Sequence, residues 1–231
     1  MVKHKKYFQG EAKKELGLID LSDFTEDELE NARLAFAADS RFLISVVAHD
    51  GFPFHQKKEV AFAGRSNVGK SSLINSITNV SGLARVSNTP GRTQMINFFS
   101  QRDDFFIVDL PGFGYAKASK ESIKQWSLLT KEYLLGRKEL EIVFFLIDSR
   151  HGIKEIDENI MEILDKSAVS YQVVLTKFDK IKKSEVDSLL LSTYEKINRR
   201  PAARPGILAT SSKDKFGIDL LRCLIYRIIK N

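Results

Sequence analysis

The chain holds a single cysteine, Cys223, among its 231 residues. An internal disulfide and a cysteine-built zinc site are therefore excluded, and the scarcity fits a reducing cytosol. Long hydrophobic runs are also lacking. The longest, Ile142 to Ile147, has six residues, against the ~20 that a membrane span requires. The start, MVKHKKYFQGEAKK, is basic but is followed by no hydrophobic signal-peptide region, so no export leader is expected. The four histidines, His4, His49, His55 and His151, are scattered without ligand spacing. What remains is 43% hydrophobic and 29% charged, the balance of an ordinary soluble protein and neither a collagen nor a disordered chain. At ~150 residues per domain, the length suits one large domain, or one domain with an arm.

Charge is unevenly spread. Residues 1–59 carry 9 Lys/Arg against 11 Asp/Glu, whereas residues 190–231 carry 9 against 3. The basic end includes Arg199, Arg200, Arg204, Lys213, Lys215, Arg222, Arg227 and Lys230. Such an end suits a polyanion, either nucleic acid or an anionic membrane face, or else is simply a solvated surface.

Residues 1–24 lack a clear period. Thr25 and Glu28 have the spacing of a helix-opening capping box, with Leu29, Ala32, Arg33 and Phe36 on one face. Phe42 to Val47 could form a short strand before Gly51-Phe52-Pro53 breaks the chain. From Glu59 the pattern changes. Six apolar runs, Val60–Ala63, Met95–Phe99, Phe105–Leu110, Ile142–Ile147, Tyr171–Leu175 and Ile207–Ala209, alternate with helix-period segments near 70–79, 119–135, 155–166, 184–198 and 217–229. This predicts an α/β fold: a mostly parallel six-stranded sheet with helices on both faces. Only Arg102-Asp103-Asp104 separates the second and third runs, too few residues for a crossover helix, so one strand should be antiparallel. The site should lie beyond the carboxyl ends of the strands. Cys223, among Leu220, Leu221, Leu224, Ile225 and Ile228, reads as a buried core thiol, and Trp126 as a packing residue.

Gly64-Arg65-Ser66-Asn67-Val68-Gly69-Lys70-Ser71 matches the pattern GxxxxGK[ST], with a strand before it and a helical segment after it. The glycines let backbone N–H groups turn inward as an anion nest, and the helix N-terminus adds its positive end. Lys70 should reach the β- and γ-phosphates, and the Ser71 hydroxyl should ligate magnesium. Asp109-Leu110-Pro111-Gly112 ends another strand. Asp109 is the candidate second anchor for magnesium, through a water, and Gly112 can offer its N–H to the γ-phosphate. Thr89-Pro90-Gly91-Arg92-Thr93-Gln94, running into Met95, lies between the P-loop helix and the next strand. Thr93 is the candidate that closes over magnesium and the γ-phosphate.

The base is named by Thr176-Lys177-Phe178-Asp179. A carboxylate at Asp179 can accept from guanine N1–H and from its exocyclic amino group, whereas adenine offers neither and would leave it unpaired. The Lys177 stem can lie along the base, and backbone N–H groups of Thr210, Ser211 and Ser212 could read the guanine carbonyl. Many GTPases place a glutamine just after the Asp-x-x-Gly motif to orient water. Here that position holds Phe113, which predicts slow hydrolysis and switch behaviour. Asn67 could direct its side-chain oxygen at the phosphates, where in related GTPases an asparagine helps hold a potassium ion, or simply tolerate the loop's backbone geometry. Residues near 82–94 and 111–120 are expected to move with the nucleotide. Phe113 and Tyr115 would either change exposure between states or stay packed in both.

With these motifs in this order the chain resembles the EngB family of translation-factor-related GTPases. The match lies in Glu59 to Asn75, Thr89 to Gln94, Asp109 to Ala116 and the Thr-Lys-x-Asp form of the base motif. It covers roughly residues 37–231, which the resemblance implies is the GTPase domain, with residues 1–36 as a partly helical or flexible extension. It also implies GTP and GDP binding, magnesium, slow hydrolysis, and a cytoplasmic role in maturing the large ribosomal subunit. That role brings rRNA as a partner and a link to cell division and septation. A monomer is expected. A different class of reading is a non-enzymatic module of the division machinery that nucleotide merely props.

Overall fold

The computed structural model describes residues 16–37, 39–85, 95–102, 104–114 and 128–230. In chain order the elements are α1 (Glu26–Ala37), β1 (Ser40–Val46), β2 (Glu59–Gly64), α2 (Lys70–Thr78), β3 (Ile96–Gln101) and β4 (Phe105–Asp109). Then follow α3 (Leu128–Gly136), β5 (Leu140–Asp148), α4 (Glu155–Lys166), β6 (Tyr171–Thr176), α5 (Lys183–Ile197), β7 (Ala203–Ala209) and α6 (Ile218–Lys230). The strands form one sheet in the order β1-β3-β4-β2-β5-β6-β7.

β2, β4, β5, β6 and β7 pair in parallel, and β3 runs against both of its neighbours, β1 and β4. The single reversed strand is the one the short Arg102–Asp104 connection demands. Among the described residues the sheet has seven strands where six were expected. The seventh, β1, reads weakly in sequence because it is an edge strand whose register slips between Phe42 and Ile44. Phe42, Leu43 and Ile44 stay exposed there, which blurs the alternation of a half-buried strand.

Strand side chains alternate between two cores. Val60 and Phe62 of β2, with Phe144 and Leu146 of β5, face α1, α2 and α6. Ala61 and Ala63, with Val143, Phe145 and Ile147, face α3, α4 and α5. This is the three-layer arrangement that parallel strands buried on both faces require. Helix α1 opens as its spacing predicts: Thr25 N–H donates to Glu28 Oε2 (2.9 Å) and Glu28 N–H to Thr25 Oγ1 (3.2 Å). Its buried residues Ala32 and Phe36 pack inward, with Phe36 edge-on to Phe105 at 5.7 Å. Arg227 of α6 grips Glu28 through two hydrogen bonds (2.6 and 2.8 Å) and lies over the Phe24 ring. Residues 17–19 add one bridge to the outer edge of β7, between Leu18 and Ile207. Cys223 is buried, as its neighbours in sequence imply, and burial pushes its thiol up to about 11. Trp126 lies outside the described residues.

Candidate functional site

The carboxyl ends of β2, β4, β5, β6 and β7 converge on one rim of the sheet. β2 runs into the loop 64–70, whose turn into α2 depends on Gly69. That residue adopts φ +106°, a left-handed conformation that glycine takes without penalty. Asn67 is also left-handed, at φ +62°, a conformation asparagine tolerates better than most residues. It is exposed. The motif at the end of β4 lies directly against this loop: Ser66 N–H donates to Phe113 O (2.9 Å) and Phe113 N–H to Gly64 O (3.3 Å). Gly112 passes so close that a Cβ there would sit 3.1 Å from Ser66 Cα.

Lys70 Nζ is ion-paired with Asp109 Oδ1, and both groups are largely buried. Two residues 39 positions apart thus meet at the mouth of the P-loop, with Ser71 in the first turn of α2 beside them. One hydroxyl and one carboxylate are hard oxygen donors. They suit a magnesium ion that completes its shell with phosphate oxygens and water. Among the described residues no cluster of three acidic, histidine or cysteine side chains offers an all-protein cage.

The base motif is built where β6 and β7 end. Thr176 Oγ1 donates to Val68 O (2.7 Å), which ties this strand to the P-loop, and Lys177 Nζ reaches Asn67 O (2.6 Å). Phe178 is fully buried and stacks on Phe216, and its N–H donates to Thr210 O (3.1 Å). Asp179 is thereby aimed back over the rim, where Ser211 Oγ donates to its Oδ1 at 2.8 Å. Thr210 is itself anchored, its N–H donating to Leu175 O (2.7 Å). Thr176, Lys177, Phe178, Asp179, Thr210 and Ser211 therefore form one unit, with Ser212 next in the loop.

Gly91, Arg92, Thr93 and Gln94 fall outside the described residues, as does Tyr115; Met95 is described and half-buried. Phe113 is buried and stacks on Phe145 at 5.7 Å. The basic tail divides. Arg200 pairs with Asp165, Arg222 with Asp219 and the carbonyls ending α2, and Arg227 with Glu28. Arg199, Arg204, Lys213, Lys215 and Lys230 are exposed.

Sequence reasoning missed Asp148 at the end of β5. Its carboxylate accepts two hydrogen bonds from the Arg150 guanidinium (2.9 and 2.7 Å) and one from Arg150 N–H (3.1 Å), and pairs with Lys177 at 3.0 Å. Burial works to raise it, but Arg150 and Lys177 prevail and hold it down at about 2. Its signal was available: it ends a strand, as Asp109 ends β4. Asp157, fully buried at the start of α4, was missed too. It accepts from Lys154 N–H (2.8 Å) and faces Arg65 of the P-loop. Burial pushes its carboxyl up, against the pull of that N–H and of Arg65.

Comparison with known proteins gives a consistent picture. The pattern of a family described as 50S ribosome-binding GTPase matches residues 59–177. The chain is 50% identical over 203 residues to the probable GTP-binding protein EngB of Roseobacter denitrificans, covering 88% of this chain and 94% of that one. It is 49% identical over 207 residues to that of Caulobacter vibrioides, covering 90% of each. A crystal structure of a probable GTP-binding protein engB superimposes with a TM-score of 0.57 at 25% identity, over 74% of this chain and 98% of that one. Era in complex with MgGDPNP and a segment of 16S ribosomal RNA superimposes with a TM-score of 0.56, also at 25% identity, over 75% of this chain and 57% of that one.

Proposed function

The chain belongs to the EngB family of GTP-binding proteins and is a P-loop GTPase, and from that premise we propose that it acts as a nucleotide-controlled switch in assembly of the large ribosomal subunit. The observation that carries this reading is the match to 50S ribosome-binding GTPases over residues 59–177, the stretch running from the P-loop strand into the base motif. The protein works in the cytoplasm as a monomer with rRNA among its contacts, and normal division and septation depend on it. Among the described residues no helix is long and apolar enough to cross a membrane.

In this reading the N–H groups of residues 64–71 hold the phosphates, and Lys70 leaves Asp109 to meet the β- and γ-oxygens. Ser71, Asp109 and Thr93 hold magnesium, which when bound neutralises charge on the phosphates. Gly112 N–H binds the γ-phosphate, Gly91 to Met95 close over it, and Asp179 reads guanine with Ser211 fixing its rotamer. Hydrolysis by the isolated chain is slow, because Phe113, its ring buried against Phe145, offers no side-chain amide to orient water. Asn67 supplies an oxygen toward a potassium ion. Exposed Arg199, Arg204, Lys213, Lys215 and Lys230 meet rRNA phosphates, so docking weakens steeply with salt.

The test is sedimentation of purified chain with large-subunit precursor particles in GTP, GDP and no nucleotide. Comigration only with GTP is the expected result. Comigration independent of nucleotide, or none, would sink the switch.

A further inference from the structure

The P-loop, the Asp109–Gly112 motif and helix α4 meet at one buried point. Phe113 is bridged to Arg65, its backbone hydrogen-bonded to Gly64 and Ser66 on either side. Gly114 lies between the Arg65 stem and α4: a Cβ placed there would be 3.5 Å from Arg65 Cγ and 3.0 Å from Ile156 Cδ1. Beneath it, Arg65 Nε faces Asp157 Oδ1 at 3.4 Å. Both atoms are shielded from solvent, and neither has a hydrogen-bond partner. Charge-assisted N–H···O bonds close to about 2.7–2.9 Å, so the pair stands roughly half an ångström open. Buried, unsatisfied polar atoms are expensive to maintain, and the segment Gly112–Gly114 ends on the residue that packs between the Arg65 stem and Ile156 of α4.

We infer that Asp157 is a positioning residue: its pair with Arg65 closes when Gly112–Gly114 is drawn onto a γ-phosphate, and so sets the chain's preference for GTP over GDP from helix α4. No proton or bond is transferred; the device is a two-position ion pair. GDP, lacking the γ-phosphate, leaves the pair open. Asp157 is held for the task, because its Oδ2 is already committed to Lys154 N–H while Oδ1 remains for Arg65. The inference rests on the reading of Gly112 as the γ-phosphate contact.

Affinities for GDP and for a non-hydrolysable GTP analogue are measured by titration of the full chain, its Asp157→Asn, Arg65→Gln and double variants, Asp157→Glu, and Gly112→Ala. Each single variant of the pair is expected to lower the analogue-to-GDP affinity ratio at least fivefold. The double variant should fall no further than the worse single, and Asp157→Glu should keep the ratio within twofold of the parent. A purely structural role would weaken both nucleotides alike and leave the ratio unchanged, which overturns the inference, as does a double variant whose loss is the product of the two singles. If Asp157→Asn fails to fold, Arg65→Gln carries the same ratio test from the partly exposed partner. If Gly112→Ala leaves the ratio unmoved, the reading of Gly112 fails. If Gly112→Ala shifts it and Asp157→Asn does not, only the present inference fails.

Discussion

Replacing Arg137 with alanine should destabilise the fold severely while leaving nucleotide recognition intact. Glu59, the first residue of β2, is fully buried. Its carboxylate accepts from Tyr133 OH (2.8 Å) and from Arg137 through Nε (2.8 Å) and a terminal nitrogen (2.6 Å), which also donates to Pro53 O (2.8 Å). His55 completes the cluster. Its Nδ1 accepts from Lys57 N–H, and its Nε2 lies 3.1 Å from Glu59 Oε1 and 3.0 Å from the same Arg137 terminal nitrogen. Burial pushes the Glu59 carboxyl up, and the hydrogen bonds from Arg137 and Tyr133 oppose it. Removing Arg137 leaves a buried carboxylate without its cation and an unpaired Pro53 carbonyl. Breaking a buried pair from one side costs about 3–5 kcal/mol. At roughly 2–4 °C per kcal/mol for a chain of this size, Tm should drop by about 6–20 °C. The assay is thermal and urea unfolding of Arg137→Ala, with Glu59→Gln/Arg137→Met as the control in which both charges are gone and much of the loss returns. Glu59 opens β2 and the P-loop follows its other end, so GDP affinity measured well below the transition should stay within about twofold of the parent. A loss under about 1 kcal/mol, or a double variant no better than the single, would refute the assignment of Glu59 as a charge sustained by Arg137.

In the proposed reading, Asp179→Ala removes the acceptor for two guanine donors. At about 1.5–3 kcal/mol for each hydrogen bond to a charged group, GTP and GDP affinity should fall roughly 10²–10⁴-fold in calorimetry, with ATP binding no better than before. His55 is held below its ordinary range, chiefly by burial and then by the Arg137 charge. Its neutral form therefore belongs to the folded state, its contribution is present above about pH 6.5, and it is lost as pH falls through the lowered value. Urea midpoints from pH 7.5 to 5 should decline less for His55→Gln than for the parent; parallel curves would remove His55 as a cause. GTP turnover compared in potassium and sodium chloride at equal ionic strength should be faster in potassium and become indifferent in Asn67→Ala, and equal rates in the parent would count against the ion site.

The motifs were legible because phosphate binding is local. A glycine nest, its lysine and the following helix turn occupy eight consecutive residues, so Gly64 to Ser71 declare themselves with no knowledge of their neighbours. Strand runs buried on both faces are equally plain. Strand β1 was harder, because an edge strand with exposed Phe42, Leu43 and Ile44 lacks a clean alternation. Only the fold could decide which charges are spent internally. Arg222 and Arg227 look like part of a basic tail in sequence, yet across the packed helices Arg222 is engaged by the carbonyls ending α2 and Arg227 by Glu28 of α1. The same holds for Lys70 with Asp109, Thr176 with Val68 and Arg65 with Asp157, partners 39 to 108 positions apart. A pairing between distant residues depends on strand order, and strand order is set by the packing of the whole chain, so no local pattern of side chains can announce it.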